Sequence, residues 1–84
     1  MEKYRVFVRK TATDELGRIP KKDLRRIIGR IRSLGKKPRP YGCEKLSAQD
    51  RIRQGDYRIV FSIDDASRTV EIFKIGYRNE IYRK

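Results

Sequence analysis

This sequence predicts an α+β fold: a small, mostly antiparallel sheet with an N-terminal helical hairpin packed on one face. Three observations lead there. Apolar residues alternate in YRVFVR (4–9), recur at helical spacing up to Leu34, and alternate again from Arg51 to Ile75. The order is therefore strand–helix–helix–strand–strand–strand, which leaves one sheet face to the helices and the other exposed or functional. With 84 residues the chain forms one domain, 1–84, whose folding buries only about 60% of the unfolded surface.

The elements follow in order. Residues 4–9 are aromatic and β-branched and form the first strand. In TATDEL, Thr11 stands as the N-cap with Asp14 three residues on, opening a short helix that buries Ala12 and Leu16 and stops at Gly17. Pro20 opens the second helix, where its missing N–H costs nothing. There Leu24, Ile27, Ile28, Ile31 and Leu34 form an apolar stripe, and Lys21, Lys22, Arg25, Arg26, Arg30 and Arg32 the opposite face. Gly35 is placed to follow the helix end, with Pro38 and Pro40 preventing its resumption. Residues 35–45 form a loop, followed by a short strand ending near Arg53 and a longer one at 57–63. A polar turn at 64–67 leads to a last strand at 69–75, closed by Gly76. The tail YRNEIYRK is too short for a free helix, so Ile81 or Tyr82 docks on the body.

Charge narrows the function. Lys and Arg number 23 against 11 Asp and Glu, a net +12. Such self-repulsion is relieved by a polyanion: nucleic acid, an acidic protein or an anionic membrane surface. No apolar run approaches the roughly 20 residues of a membrane span, and the N-terminus lacks a secretory pattern. The single cysteine, Cys43, permits no internal disulfide and fits a reducing cytoplasm. With no histidine, neither a Cys–His pair nor histidine acid–base catalysis is possible, and no nucleotide-loop, dinucleotide or serine-nucleophile motif occurs.

RIRQGDYRIVF (51–61) carries the sharpest signal. If Gly55-Asp56 is a two-residue hairpin turn, Arg53 faces Arg58, Ile52 faces Ile59 and Arg51 faces Val60. Ile52, Ile59, Phe61 and Ile63 then share the helix side, while Arg51, Arg53 and Arg58 share the other. Like charges directly opposed destabilise a sheet, on a scale of roughly 0.2–1 kcal/mol per pair. A phosphate between them reverses the sign, because guanidinium forks match its oxygens. The geometry fits either an anion site, which the net charge favours, or a solvent-facing strand pair whose arginines splay apart. Arginine is too basic to accept a proton, but it stabilises charge in a transition state. A tyrosine among arginines titrates lower and can serve as a base. RNA brings its own nucleophile, the 2′-OH, so such a site can cleave RNA without metal or cofactor, whereas DNA is inert to it.

KLS…RIRQGDYRIVFSIDD and VEIFKIGYRNEIY together resemble the RelE toxins of the RelE/ParE superfamily over nearly the whole chain. The resemblance implies a type II toxin that cleaves mRNA in the ribosomal A site without metal, leaving a 2′,3′-cyclic phosphate and a 5′-hydroxyl, and so inhibits translation. It implies ribosomal RNA contacts, a cognate acidic antitoxin that neutralises the toxin, and operator DNA bound only through their complex. It gives Arg51 and Arg53 to a basic pair that also holds RNA, Arg58 to a transition-state contact, and Arg78 to charge stabilisation or protonation of the leaving oxygen. Tyr82 matches a tyrosine that stacks on a base or transfers protons. Tyr77 is not matched in this way; its aromatic ring either binds RNA by stacking on a base or caps the core. Some relatives carry lysines at positions 51 and 53; arginine there moves the base role toward Tyr82 or weakens catalysis. Other readings on the same fold are a ParE-like DNA gyrase inhibitor and a catalytically inactive RNA- or ribosome-binding module. The set Arg51, Arg53, Arg78 and Tyr82 argues against the first.

Overall fold

The computed structural model describes residues 3–40, 42–45 and 49–77. The elements are β1 (Arg5–Val8), α1 (Lys10–Leu16), α2 (Lys21–Leu34), β2 (Glu44–Lys45), β3 (Asp50–Gln54), β4 (Tyr57–Asp64) and β5 (Thr69–Tyr77). They build one five-stranded sheet in the order β1-β5-β4-β3-β2. Only the β1–β5 pair is parallel; the rest is antiparallel. No helix among the described residues is long and apolar enough to cross a membrane.

The core lies between the helical hairpin and one sheet face. Ala12, Ile27, Ile31 and Leu34 come from the helices, and Ile52, Ile59, Phe61, Val70, Ile72 and Ile75 from the strands. The predicted hairpin register is the observed one: Gln54 pairs with Tyr57, Arg53 with Arg58, Ile52 with Ile59 and Arg51 with Val60. Gly55 at the first turn position has φ +63°, and a Cβ there would meet nothing within 4 Å. Backbone conformation, not space, thus requires glycine, as in a type II′ turn.

Several local expectations change. α1 begins at Lys10 with Arg9 as its N-cap and no side-chain cap, so Thr11 lies inside the helix. Its hydroxyl donates instead to the Phe73 carbonyl at 3.3 Å, a tertiary partner that a local reading could not supply. Ile28 is exposed, because the helix meets the sheet along a stripe too narrow to include it. Gly35 has an ordinary helical φ of −68°. Its lack of a side chain serves packing: a Cβ would lie 3.1 Å from the Tyr4 carbonyl and 3.3 Å from Val6 Cγ2. Residues 35–45 are not all loop, since Glu44 and Lys45 pair with Arg51 and Asp50 as an edge strand. Gly76 does not end the last strand. It pairs with Arg58 inside β5, which continues to Tyr77. Arg78, Ile81 and Tyr82 lie outside the described residues.

One polar cluster ties the start of β1, the loop after α2 and the β4–β5 turn together. Asp65 accepts 3.3 and 3.1 Å bonds from Arg39 and a 2.6 Å bond from the Tyr4 hydroxyl. These bonds, Arg39 first and Tyr4 next, hold the Asp65 carboxyl below the usual carboxylate range. Its folded pKa is depressed, so its contribution to stability is present above the unfolded value of about 3.9 and disappears as pH falls through the lower folded value.

Two measurements check this description. Gly35→Ala should lower stability by about 1–3 kcal/mol through overpacking, while Gly29→Ala, in open space on the exposed face of α2, should raise it by about 0.5–1 kcal/mol. Urea midpoints decide both signs. Asp65→Asn should flatten the acid-side decline of the urea midpoint below about pH 5; an unchanged slope would show that Asp65 is not held by Arg39 and Tyr4 in solution.

Candidate active site

The β3–β4 hairpin sets three guanidinium groups on the sheet face away from the helices. Arg53 and Arg58 are directly opposed, and Arg51 opposes Val60 one pair further along that face. Their surroundings differ. Arg58 is 6% exposed, against an open Arg53. Gly76 pairs with Arg58 on the other side and puts no side chain on the face they share. The Arg51 side chain is 12% exposed and bonds the Glu44 carboxylate through Nε at 3.0 Å and through Nη2. Arg53 turns its Nε onto the Gly55 carbonyl at 3.2 Å, which fastens it to its own turn.

Gly42, Glu44, Arg51, Arg53 and Arg58 together line a cleft of about 190 Å³. Its donors are charged, convergent and in part stripped of water, which strengthens their action on an arriving anion. Glu44 is the member that the sequence did not single out. It lies beyond a proline-rich stretch, and only the pairing of β2 with β3 brings it to Arg51. Its carboxylate is the acceptor that the arginines cannot be. Cys43, beside it in sequence, is held protonated by burial, which raises its thiol pKa, so it adds no thiolate to the cleft.

Of the site residues expected from sequence, Arg51, Arg53 and Arg58 come together. Tyr77 does not join them. It opposes Tyr57, whose neighbours on that face are Ile59 and the core, so it belongs to the helix side of the sheet. The two rings lie 4.9 Å apart at 39°. The Tyr57 hydroxyl titrates above its ordinary value, through burial first and Tyr77 second. Arg78 and Tyr82 lie outside the described residues.

A second concentration of charge lies on α2, where Lys21, Lys22, Arg25 and Arg26 border a shallow depression of about 360 Å³. The face predicted from helical periodicity is thus a real basic surface, separate from the cleft in sequence and in lining.

Comparison with known proteins supports this architecture. A family model described as the ParE toxin of type II toxin–antitoxin systems, parDE, matches residues 6–82. Toxin RelE of Mycobacterium tuberculosis is 33% identical over 88 residues, covering 95% of this chain and 87% of that protein. Among solved structures, the toxin–antitoxin complex RelBE2 of M. tuberculosis superposes with a TM-score of 0.83 at 26% identity, covering 93% of this chain and 94% of that one. The archaeal RelE–RelB complex of Pyrococcus horikoshii OT3 gives 0.78 at 28%, covering 90% and 96%. The chain belongs to the RelE/ParE family of toxins of type II toxin–antitoxin systems.

Proposed function

We propose that this toxin is a ribosome-dependent endoribonuclease that cuts mRNA in the A site and so inhibits translation. The observation that carries the proposal is the cleft itself, in which three arginines and one carboxylate converge. RNA supplies the remaining reactant. The 2′-oxygen attacks the adjacent phosphorus, the bond from phosphorus to the 5′-oxygen breaks, and the products are a 2′,3′-cyclic phosphate and a 5′-hydroxyl. One proton leaves the 2′-oxygen and one is delivered to the 5′-oxygen.

The residues divide that work. Arg51, Arg53 and Arg58 hold the scissile phosphate and stabilise the charge that builds on its oxygens. When the phosphate takes over Arg51, the Glu44 carboxylate is released beside the nucleophile and accepts its proton. This gives Glu44 the base role that sequence alone moved toward Tyr82. Arg78 protonates the leaving oxygen and Tyr82 stacks on a base; both roles rest on the family resemblance. No metal is required, because the nucleophile is intramolecular and the charge is met by guanidinium groups.

The partners follow from the same charge. Ribosomal RNA and mRNA are polyanions, and the basic face of α2 offers phosphate contacts apart from the cleft. Some of the similar solved structures are toxin–antitoxin complexes of RelE with RelB, and we propose a similar acidic antitoxin for this chain. The second reading is a ParE-like inhibitor of DNA gyrase on the same fold; the matching family model carries the ParE description.

Primer extension on translating ribosomes tests the reaction. The parent should cut within A-site codons and leave cyclic phosphate ends. Arg53→Ala should slow single-turnover cleavage by about 10²–10³, the usual effect of removing one transition-state donor. Glu44→Gln should be slowed by roughly 10²–10⁴, the typical share of general base catalysis, yet bind uncleavable mRNA on the ribosome as tightly as the parent. Intact mRNA together with blocked gyrase supercoiling would favour the second reading; intact mRNA with active gyrase would leave an inactive binding module.

A further inference from the structure

One ring pair stands beside the cleft yet faces away from it. Tyr57 and Tyr77 are the last matched pair of the β4–β5 ladder, and the pair before it is Arg58 with Gly76. The aromatic rings are thus one residue along each strand from the buried arginine, on the opposite face. Tyr77 is 53% exposed, and Tyr57 supports it from beneath at 4.9 Å between ring centres. With Arg18, Ile19 and Glu15 of the α1 region, they line a second pocket of about 190 Å³. That is smaller than the roughly 300–1,000 Å³ of most small-molecule sites and suits a single ring system.

The pocket wall is fixed rather than adaptable. β5 carries an irregularity where the β4–β5 register shifts between Val60 and Phe61. Just past it, the Ile75 N–H donates to Glu15 Oε1 at 2.7 Å, and Lys74 Nζ meets Glu15 Oε2 at 2.9 Å. Glu15 therefore clamps the end of β5 to α1 and holds Tyr77 in place. The phenol of Tyr57 keeps its proton, so no phenolate there opposes a polyanion. An exposed ring on a rigid base with an arginine beside it has the elements of a single-strand nucleic-acid subsite: stacking, with charge nearby for the backbone.

We propose that Tyr77, backed by Tyr57 and flanked by Arg18, docks one base of the RNA strand adjacent to the linkage held in the arginine cleft. The strand reaches it by bending over the end of the β4–β5 ladder, so the two faces of the sheet act on neighbouring nucleotides. This rests on the RNA reading above and adds a site that the arginine cleft does not contain.

Binding of uncleavable 2′-O-methyl oligonucleotides of two to six residues, followed by fluorescence anisotropy, tests it. The parent should gain roughly tenfold in affinity at the length that first supplies the docked base. An abasic nucleotide at that position should remove the gain. Tyr77→Leu should remove it too and make the abasic change silent, Tyr77→Phe should retain it, and Arg18→Gln should weaken it. A length dependence and an abasic penalty unchanged in Tyr77→Leu would overturn the proposal and leave Tyr77 as a cover on the core. Failure of the parent to bind any of these oligonucleotides would overturn it as well. Cleavage on ribosomes, measured separately, would still decide the wider reading, so the two can fail independently.

Discussion

The arrangement depends on one backbone constraint, the turn at Gly55-Asp56. Its positive φ at Gly55 closes β3 onto β4 with no residue to spare. Side chains alternate with a period of two, so a slip of one residue would send every side chain of β3 to the other face. Ile52 would leave the core and the arginines would enter it. The turn therefore fixes at once what the helices cover and what an anion meets. Burial of Ile52, Ile59 and Phe61 on one side makes the register costly to change. Core and site depend on the same alignment.

Against that gain stands a local conflict. Two arginines are directly opposed, and one of them is almost wholly buried. Proteins keep such arrangements where a partner resolves them. Gly76, paired with Arg58, adds no side chain to that face, Arg53 bonds its own turn, and Arg51 holds Glu44. The last contact has two consequences. It partly neutralises the free cleft, and it keeps a proton acceptor where a bound phosphate would displace it. In the proposed reaction the ion pair is thus an internal stand-in for the phosphate.

The periphery positions the cleft without joining it. Asp65 anchors the loop that leads from α2 toward β2, and Glu15 anchors the end of β5 to α1. The first fixes the approach of the chain to Glu44, and the second fixes Tyr77. Gly35 lets the end of α2 press on β1, where the Tyr4 N–H donates to the Gly35 carbonyl at 2.7 Å. These contacts join residues far apart in sequence. They make the small sheet stiff enough to present charged groups in set directions.

The sequence by itself determined the fold class, the hairpin register, the two-faced sheet and the grouping of Arg51, Arg53 and Arg58. Each follows from periodicity or turn chemistry, which act between near neighbours and leave a local trace. Tertiary structure alone decided the rest. Thr11 exchanged a cap for the Phe73 carbonyl, and Glu44 reached Arg51 through two residues of edge strand. Gly76 became a partner of Arg58 instead of a strand end, and Tyr77 came to the side away from the arginines. In each of these cases the deciding contact spans the sheet or joins a helix to it. Its energy depends on a distant residue, and no local pattern encodes that residue's position.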